Sequence, residues 1–370
     1  MVTITEAEVL ERLRGVEDPE LHRSIVDLGM VRAIEIAGGR IAVDVRLTVQ
    51  GCPLTQRIER EVKDAVGAMD GVGGPSVVDV HLGVMTPEEL RAVGAKVRGG
   101  AGQAQGAAVP PSPFTSGELR TRVLIVASGK GGVGKSTVAA NLGAALAAAG
   151  KSVGLLDADI YGFSIPRLVG LREAPRVITD GVIIPPEAAG MKVMSMGSLV
   201  EERQPVIWRG PMLSKLLSQF LGEVQWGEPD YLLVDSPPGT GDVAISLQGQ
   251  LPKGWIVLVT TPQDLAVSVA ARVSAMAART GQRVAGVIEN MAYLVCPHCG
   301  EETRVFAGDG GSALSSELGV PLLGRLPLMP ALSAQGDQGT PAVLSAPGSA
   351  EARAFEALAQ RVLALDEAKP

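Results

Sequence analysis

The stretch Ser128-Gly129-Lys130-Gly131-Gly132-Val133-Gly134-Lys135-Ser136-Thr137 decides how the rest of this 370-residue chain is read. It follows an apolar run, Val123-Leu124-Ile125-Val126-Ala127, and precedes an Ala/Leu-rich run that ends at Gly150. Strand, glycine loop and helix in that order form a phosphate-binding loop, because oxygens of a phosphate are held by backbone N–H groups at a helix N-terminus. Gly131, Gly132 and Gly134 let those N–H groups turn inward without a Cβ in the way. Lys135 is placed to reach the β- and γ-phosphates of a nucleotide, and the Ser136 hydroxyl to ligate Mg²⁺. Gly129, Val133 and Thr137 complete the cradle.

A second lysine, Lys130, sits inside the loop, where cradling phosphate within one chain does not need it. The loop resembles the deviant Walker A sequence K-G-G-x-G-K-[ST] of the MinD/ParA/NifH group of dimeric ATPases. The resemblance implies a homodimer in which Lys130 crosses to the partner's nucleotide. There it would act as an arginine finger does, adding positive charge at the transferring phosphoryl group. The plain alternative is a solvated loop lysine.

Beyond the loop, apolar segments near 152–157, 192–196, 231–235, 255–260, 283–288 and 321–325 read as further strands between helical stretches. Most are continuous Val/Ile/Leu runs, as expected of a parallel sheet covered on both faces. The expected fold is therefore an α/β phosphate-loop NTPase with a mostly parallel sheet. The strand Tyr231–Val234 ends in Asp235, a Walker B arrangement, so Asp235 is expected to hold Mg²⁺ through water. The turn Ser236-Pro237-Pro238-Gly239-Thr240-Gly241 behind it resembles the switch II of the same group, and Asp242 reads as a helix cap. In Asp157-Ala158-Asp159-Ile160-Tyr161-Gly162, Asp159 matches the switch I aspartate that positions the attacking water in that group. Asp157 reads as support for the loop or the metal shell, with a helix cap as the alternative for either. Asn290 follows another strand; by the same resemblance it reads adenine, and otherwise it closes a turn.

Cys296-Pro297-His298-Cys299 supplies two thiols three residues apart. A tetrahedral metal or a four-iron cluster needs four ligands. The remaining cysteine, Cys52, lies far away in the sequence, so four ligands are most simply met by Cys296 and Cys299 from each of two chains. Zinc in a knuckle and thiol–disulfide exchange are the rival uses of such a pair.

Residues 1–97 read as a small α+β domain: a capped helix from Thr5, a hairpin around Gly38-Gly39, a helix carrying Ile58, Val62 and Val66, and a strand near 77–82. Cys52 falls at the start of the second helix, where the helix dipole favours a thiolate; a small buried hydrophobe is the alternative. The segments Asp18-Pro19-Glu20-Leu21, Ser24–Gly29 and Thr48–Pro53 resemble the small domain of SufT- and PaaD-like iron–sulfur assembly proteins. Residues 98–118, rich in Gly, Ala, Gln and Pro, read as a flexible linker, which at that length spans roughly 25 Å on average. Residues 119–370 form the ATPase domain. Its last helix, near 349–364, lines up Phe355, Leu358, Val362 and Leu365 and reads as a packing helix.

Composition excludes several classes. The formal net charge of −7 argues against a dedicated nucleic-acid binder. There is no apolar run long enough for a membrane span and no basic leader, so a cytoplasmic protein is expected. Taken in order, the loop, the two aspartate segments and the cysteine pair identify the chain as similar to the Mrp/ApbC family of iron–sulfur cluster carriers, and Trp208-Arg209-Gly210-Pro211 also looks like a family segment. Phe163 stands where that family usually has Pro. The resemblance implies an ATPase that binds ATP and Mg²⁺, holds a [4Fe–4S] cluster at a homodimer interface, and passes it from cluster scaffolds to apo iron–sulfur client proteins, with no nucleic-acid or membrane partner. A MinD/ParA-like positioning ATPase is the alternative, and a NifH-like reductase is the other relative that bridges a cluster between subunits.

Overall fold

The computed structural model describes residues 4–48, 55–97, 112–116, 120–160, 162–179, 181–199, 210–239, 242–263, 272, 277, 280–296 and 298–367. Cys52, the Trp208-Arg209-Gly210-Pro211 segment apart from the backbone of its last two residues, Tyr161, Thr240, Gly241 and most of the linker lie outside them. The chain divides into two units. One comprises 1–108 together with 176–184, the other 109–175 together with 185–370.

The larger unit is built on an eight-stranded sheet. In spatial order its strands are Glu187–Ala188, Met191–Ser195, Val153–Asp157, Tyr231–Asp235, Arg122–Ala127, Trp255–Thr260, Arg283–Glu289 and Leu322–Arg325. Every neighbouring pair is parallel except the first, a short antiparallel edge. The expected strands are all present. Their continuous apolar runs have the anticipated cause. Val257 and Val259 join a core with the helices Lys135–Ala148 and Ala350–Glu367, while Ile256 and Leu258 join a separate core with Leu314 of the helix Gly310–Leu318. Successive side chains of a strand point to opposite faces, so both faces are covered. Phe355, Leu358 and Val362 of the last helix are buried in the first of these cores, as a packing helix requires.

The helix Lys135–Ala148 is apolar nearly all round and buried along most of its length. Its close fit depends on Gly143, where an added Cβ would lie 2.6 Å from Met191 Sδ. That packing fixes the N-terminus of the helix, and so the loop, over the C-terminal edge of the sheet.

The smaller unit follows the expected order. The helix Glu6–Leu13 carries a full capping box: Thr5 Oγ1 accepts from the Glu8 N–H, and Glu8 accepts from the Thr5 N–H. Val31–Ala37 and Arg40–Leu47 form the hairpin, turning through Gly38 and Gly39 at φ 56° and 76°. Ile58, Val62 and Val66 of the helix Thr55–Gly67 are all buried, and Val78–Val84 pairs parallel to Arg40–Leu47. Among the features not set apart from sequence, two stand out. One is the helix Pro87–Val97. The other is the hairpin Arg176–Thr179/Val182–Ile184, whose core side chains belong to this unit although its chain neighbours belong to the other.

Candidate functional site

Three adjacent strands end together beside the loop. In register, Asp235 lies beside Asp157 on one side and Val126 on the other, and the loop begins two residues after Val126. In open α/β sheets ligands gather at the carboxyl ends of the strands, and here that edge carries the loop and two strand-end carboxylates.

Within the loop Gly132 and Gly134 have φ 79° and 81°, values open to glycine and costly for side chains. Added Cβ atoms at Gly131 and Gly132 would meet nothing within 4 Å, so nothing crowds the loop at these positions. At Gly134 the neighbour is Asn290 Nδ2, 2.3 Å from where a Cβ would stand. The Asn290 amide donates to the Val133 carbonyl at 2.9 Å, so this side chain braces the loop from the strand Arg283–Glu289.

Lys135 Nζ, almost fully buried, donates 2.5 Å to Asp235 Oδ1 and lies 3.4 Å from Ser136 Oγ. Asp235 is completely buried, and its second oxygen, Oδ2, has no hydrogen-bond partner. Burial raises its pKa against the opposing pull of Lys135. A buried carboxylate oxygen without a partner is costly. Beside a serine hydroxyl in a phosphate loop, it fits a hydrated divalent cation.

Asp157 plays a different part. Its carboxylate accepts the Asp159 N–H on Oδ1, and the Ser164 and Ile165 N–H groups and the Ser195 hydroxyl on Oδ2, at 3.1–3.2 Å. It thus gathers the segment that follows its strand. Asp159, mostly buried, accepts the Gly162 N–H at 3.1 Å, a local turn contact. On the other side of the loop the Ser236 hydroxyl donates to the Val126 carbonyl, and the Gly239 N–H donates to the Ser128 carbonyl at 2.9 Å. The segment after Asp235 is therefore hydrogen-bonded directly to the phosphate loop.

Burial, with the neighbouring Asp235 second, pushes the Asp157 carboxyl up to about 7. Its unfolded reference is 3.8, so between these values the folded protein holds a proton that the unfolded chain has released. The associated stability is present below the unfolded pKa and is lost as pH rises through the folded one. Asp157→Asn removes this dependence. Without nucleotide or metal, the melting temperature of the variant relative to the parent should rise between pH 5 and pH 8; an unchanged difference counts against a protonated Asp157.

Lys130 is half-buried, and its amine donates 3.2 Å to Gln263 Oε1, which also accepts from the Thr261 hydroxyl at 2.7 Å. Within one chain the lysine is thus parked against the loop after the strand Trp255–Thr260. Nothing in the sequence pointed to Gln263.

A cavity of about 380 Å³ opens beside Gly134 and Thr137, with Asn290, Pro327, Leu328 and Met329 on its walls. The volume suits a small ligand. On its far side, Arg167 of the helical turn Ile165–Leu168 pairs with Asp337 of the helix Pro330–Gln338 at 2.7 Å. Pro327–Met329 were not singled out from sequence. Their position just past the last sheet strand, at the same edge as the loop, is the signal that could have found them.

The cysteine pair lies at the tip of a small hairpin, Leu294–Val295 with Glu302–Thr303. The Cys296 N–H donates to the Glu301 carbonyl and the Gly300 N–H to the Cys296 carbonyl, both at 2.9 Å, with Gly300 at φ 74°. The tip folds so that backbone N–H groups of Cys299 and His298 point at the Cys296 sulfur, and with the Cys299 side chain they lower its pKa. Both thiols are free, Cys296 half-buried and Cys299 exposed. Among the described residues no group of three or more His, Cys, Asp or Glu side chains is placed to hold a metal ion. The structure therefore presents a surface pair of sulfurs rather than a closed site.

Residues 120–363 match the family described as NUBPL iron-transfer P-loop NTPase, and residues 6–77 match one described as iron-sulfur cluster assembly protein. The iron-sulfur cluster carrier protein of Mycobacterium leprae is 45% identical over 351 residues, covering 93% of this chain and 89% of that one. The carrier protein of Bacillus subtilis is 43% identical, covering 88% of each. A nucleotide-binding protein of Archaeoglobus fulgidus, solved with ADP, superposes with a TM-score of 0.53 at 39% identity, covering 59% of this chain and 86% of that one. With a buried phosphate-loop lysine, a strand-end aspartate and full-length relatives of one kind, the chain belongs to the iron-transfer P-loop NTPase family.

Proposed function

We propose that this iron–sulfur cluster carrier ATPase works as a homodimer and holds a [4Fe–4S] cluster as cargo on Cys296 and Cys299 of each chain. The observation that carries this reading is the cysteine hairpin. It offers two sulfurs at the surface, one favoured as thiolate, with no third ligand beside them among the described residues. A four-iron cluster on cysteines takes four thiolates, and two copies of the tip supply them. Zinc on the same four sulfurs is the second reading that this geometry permits, and metal analysis separates the two.

The residue roles follow from the site. The amides of Gly129 to Thr137 and the Lys135 amine hold the phosphates. Asn290 and the Pro327–Met329 wall enclose the base. Ser136 and Asp235 hold Mg²⁺, which spreads the charge of the β- and γ-phosphates when bound. Asp159 orients the attacking water. In the dimer Lys130 leaves Gln263 and reaches the nucleotide of the other chain. Hydrolysis releases the segment after Asp235, which hydrogen-bonds to the loop at Ser128 and to the preceding strand at Val126. A γ-phosphate sensor in that position is the usual form of such a switch. The cargo goes to apo iron–sulfur proteins. The domain limits 1–97, 98–118 and 119–370 and a cytoplasmic site of action are part of this reading. The net charge of −7 gives no support to a nucleic-acid partner, and among the described residues no helix is long and apolar enough to cross a membrane. A positioning ATPase would leave the cysteine hairpin without a use.

Anaerobic reconstitution with iron and sulfide, followed by native mass and metal analysis, tests the proposal. The expected product is two chains with about four irons and four sulfides. Iron bound to a single chain, or zinc alone, overturns it.

A further inference from the structure

The hairpin Arg176–Thr179/Val182–Ile184 is two-stranded, with pairs Arg176 to Ile184, Val177 to Ile183 and Thr179 to Val182, and Gly181 at φ 79° in its turn. A hairpin of this length is marginal by itself in water. What orders it is the smaller unit. Ile178, Val182 and Ile184 are 8%, 1% and 6% exposed and belong to one core with Val9, Leu21, Ile25 and Val93. Val177, on the opposite face, is 66% exposed. The Arg176 guanidinium bonds the carboxylate of Glu20, which is itself buried.

By chain order, however, this hairpin belongs to the nucleotide-binding half. It begins eight residues after the turn Ile165–Leu168, whose first amide Asp157 accepts, and it leads back into the sheet at Glu187. Residues 1–108 thus complete their core with a segment that the chain supplies from between two stretches of the other unit.

We propose that Arg176–Ile184 is a docking hairpin for the small N-terminal unit, holding it to the ATPase chain independently of the 98–118 linker. The apolar surface it fills is a binding site for a β-hairpin with alternating branched side chains, and Arg176 sets its register through Glu20. The linker then closes a loop instead of being the sole tie. The strand-end aspartate Asp157, the turn it gathers and the docking hairpin become one continuous path of chain from the nucleotide site to the small unit. This inference stands apart from the cluster reading and does not depend on it.

A specific protease sequence placed within residues 101–108 of the full-length protein tests it. After cleavage, size exclusion at micromolar concentration should return both fragments in one peak. Val182→Asp should separate them, and Val177→Asp on the exposed face should not. Because Val182→Asp could unfold the small unit outright, a charge exchange provides the second measurement. Arg176→Glu should weaken co-elution at least severalfold, and adding Glu20→Arg should recover it. Fragments that separate in the parent protein overturn the proposal. So does co-elution that survives both Val182→Asp and Arg176→Glu.

Discussion

Lys135→Ala should reduce ATP turnover by roughly 10³-fold or more, the scale on which a cation at the transferring phosphoryl group acts. The same substitution has a structural cost. Lys135 is the 2.5 Å partner of a carboxylate that is completely buried. Removing one member of a buried ion pair leaves an uncompensated charge and costs about 3–5 kcal/mol. Burial already raises the Asp235 pKa, and Lys135 is the main force opposing that rise. Without the lysine the folded pKa moves further up. The extra stability is then present at low pH and is lost as pH rises through that folded value, so the variant should melt earlier at pH 8 than at pH 5. Asp235→Asn added to Lys135→Ala should restore much of the melting temperature and none of the turnover. That pattern separates the electrostatic role from the catalytic one. Turnover that survives Lys135→Ala would remove the loop from the chemistry.

The second large effect concerns the hairpin tip. Replacing Cys296 and Cys299 by serine should take the reconstituted protein from about four irons per two chains to near none, with cluster delivery to an apoprotein lost in parallel. The melting temperature should stay close to that of the parent, because both side chains lie at a surface tip whose backbone bonds, Cys296 to Glu301 and Gly300 to Cys296, do not involve sulfur. In the metal-free protein Cys296 should be alkylated down to a lower pH than an ordinary thiol, since the N–H groups of Cys299 and His298 stabilise its thiolate. Iron content that is indifferent to both cysteines would place the cargo elsewhere and return the chain to an ATPase with an unexplained hairpin.

Much of this protein was legible from local pattern. The phosphate loop is a contiguous motif whose glycines have a local steric reason, and continuous apolar runs announce strands buried on both faces. Asp157 and Asp235 could be named because strand-end carboxylates need only the strand and its terminus. The cysteine pair is legible for the same reason: three residues apart is a local distance. The division of labour between the aspartates was not readable. Two acidic residues at neighbouring strand ends look alike in sequence. Asp157 is spent on three backbone amides and a serine hydroxyl, whereas Asp235 has a lysine on one oxygen and nothing on the other. The sequence offers Asn290 as an adenine contact or a turn residue, whereas its brace on the Val133 carbonyl depends on the strand order that brings it beside the loop.

The sequence by itself determined the fold class, the nucleotide loop and the presence of two closely spaced cysteines, because each rests on residues within a few positions of one another. Tertiary structure alone decided what joins residues far apart. It set Lys130 on Gln263, walled a cavity with Pro327–Met329, and gave Arg176–Ile184 to the core of the smaller unit. These pairings are long-range. Their energies come from burial and from partners supplied by other segments, and no local pattern encodes which distant surface a short apolar hairpin will find.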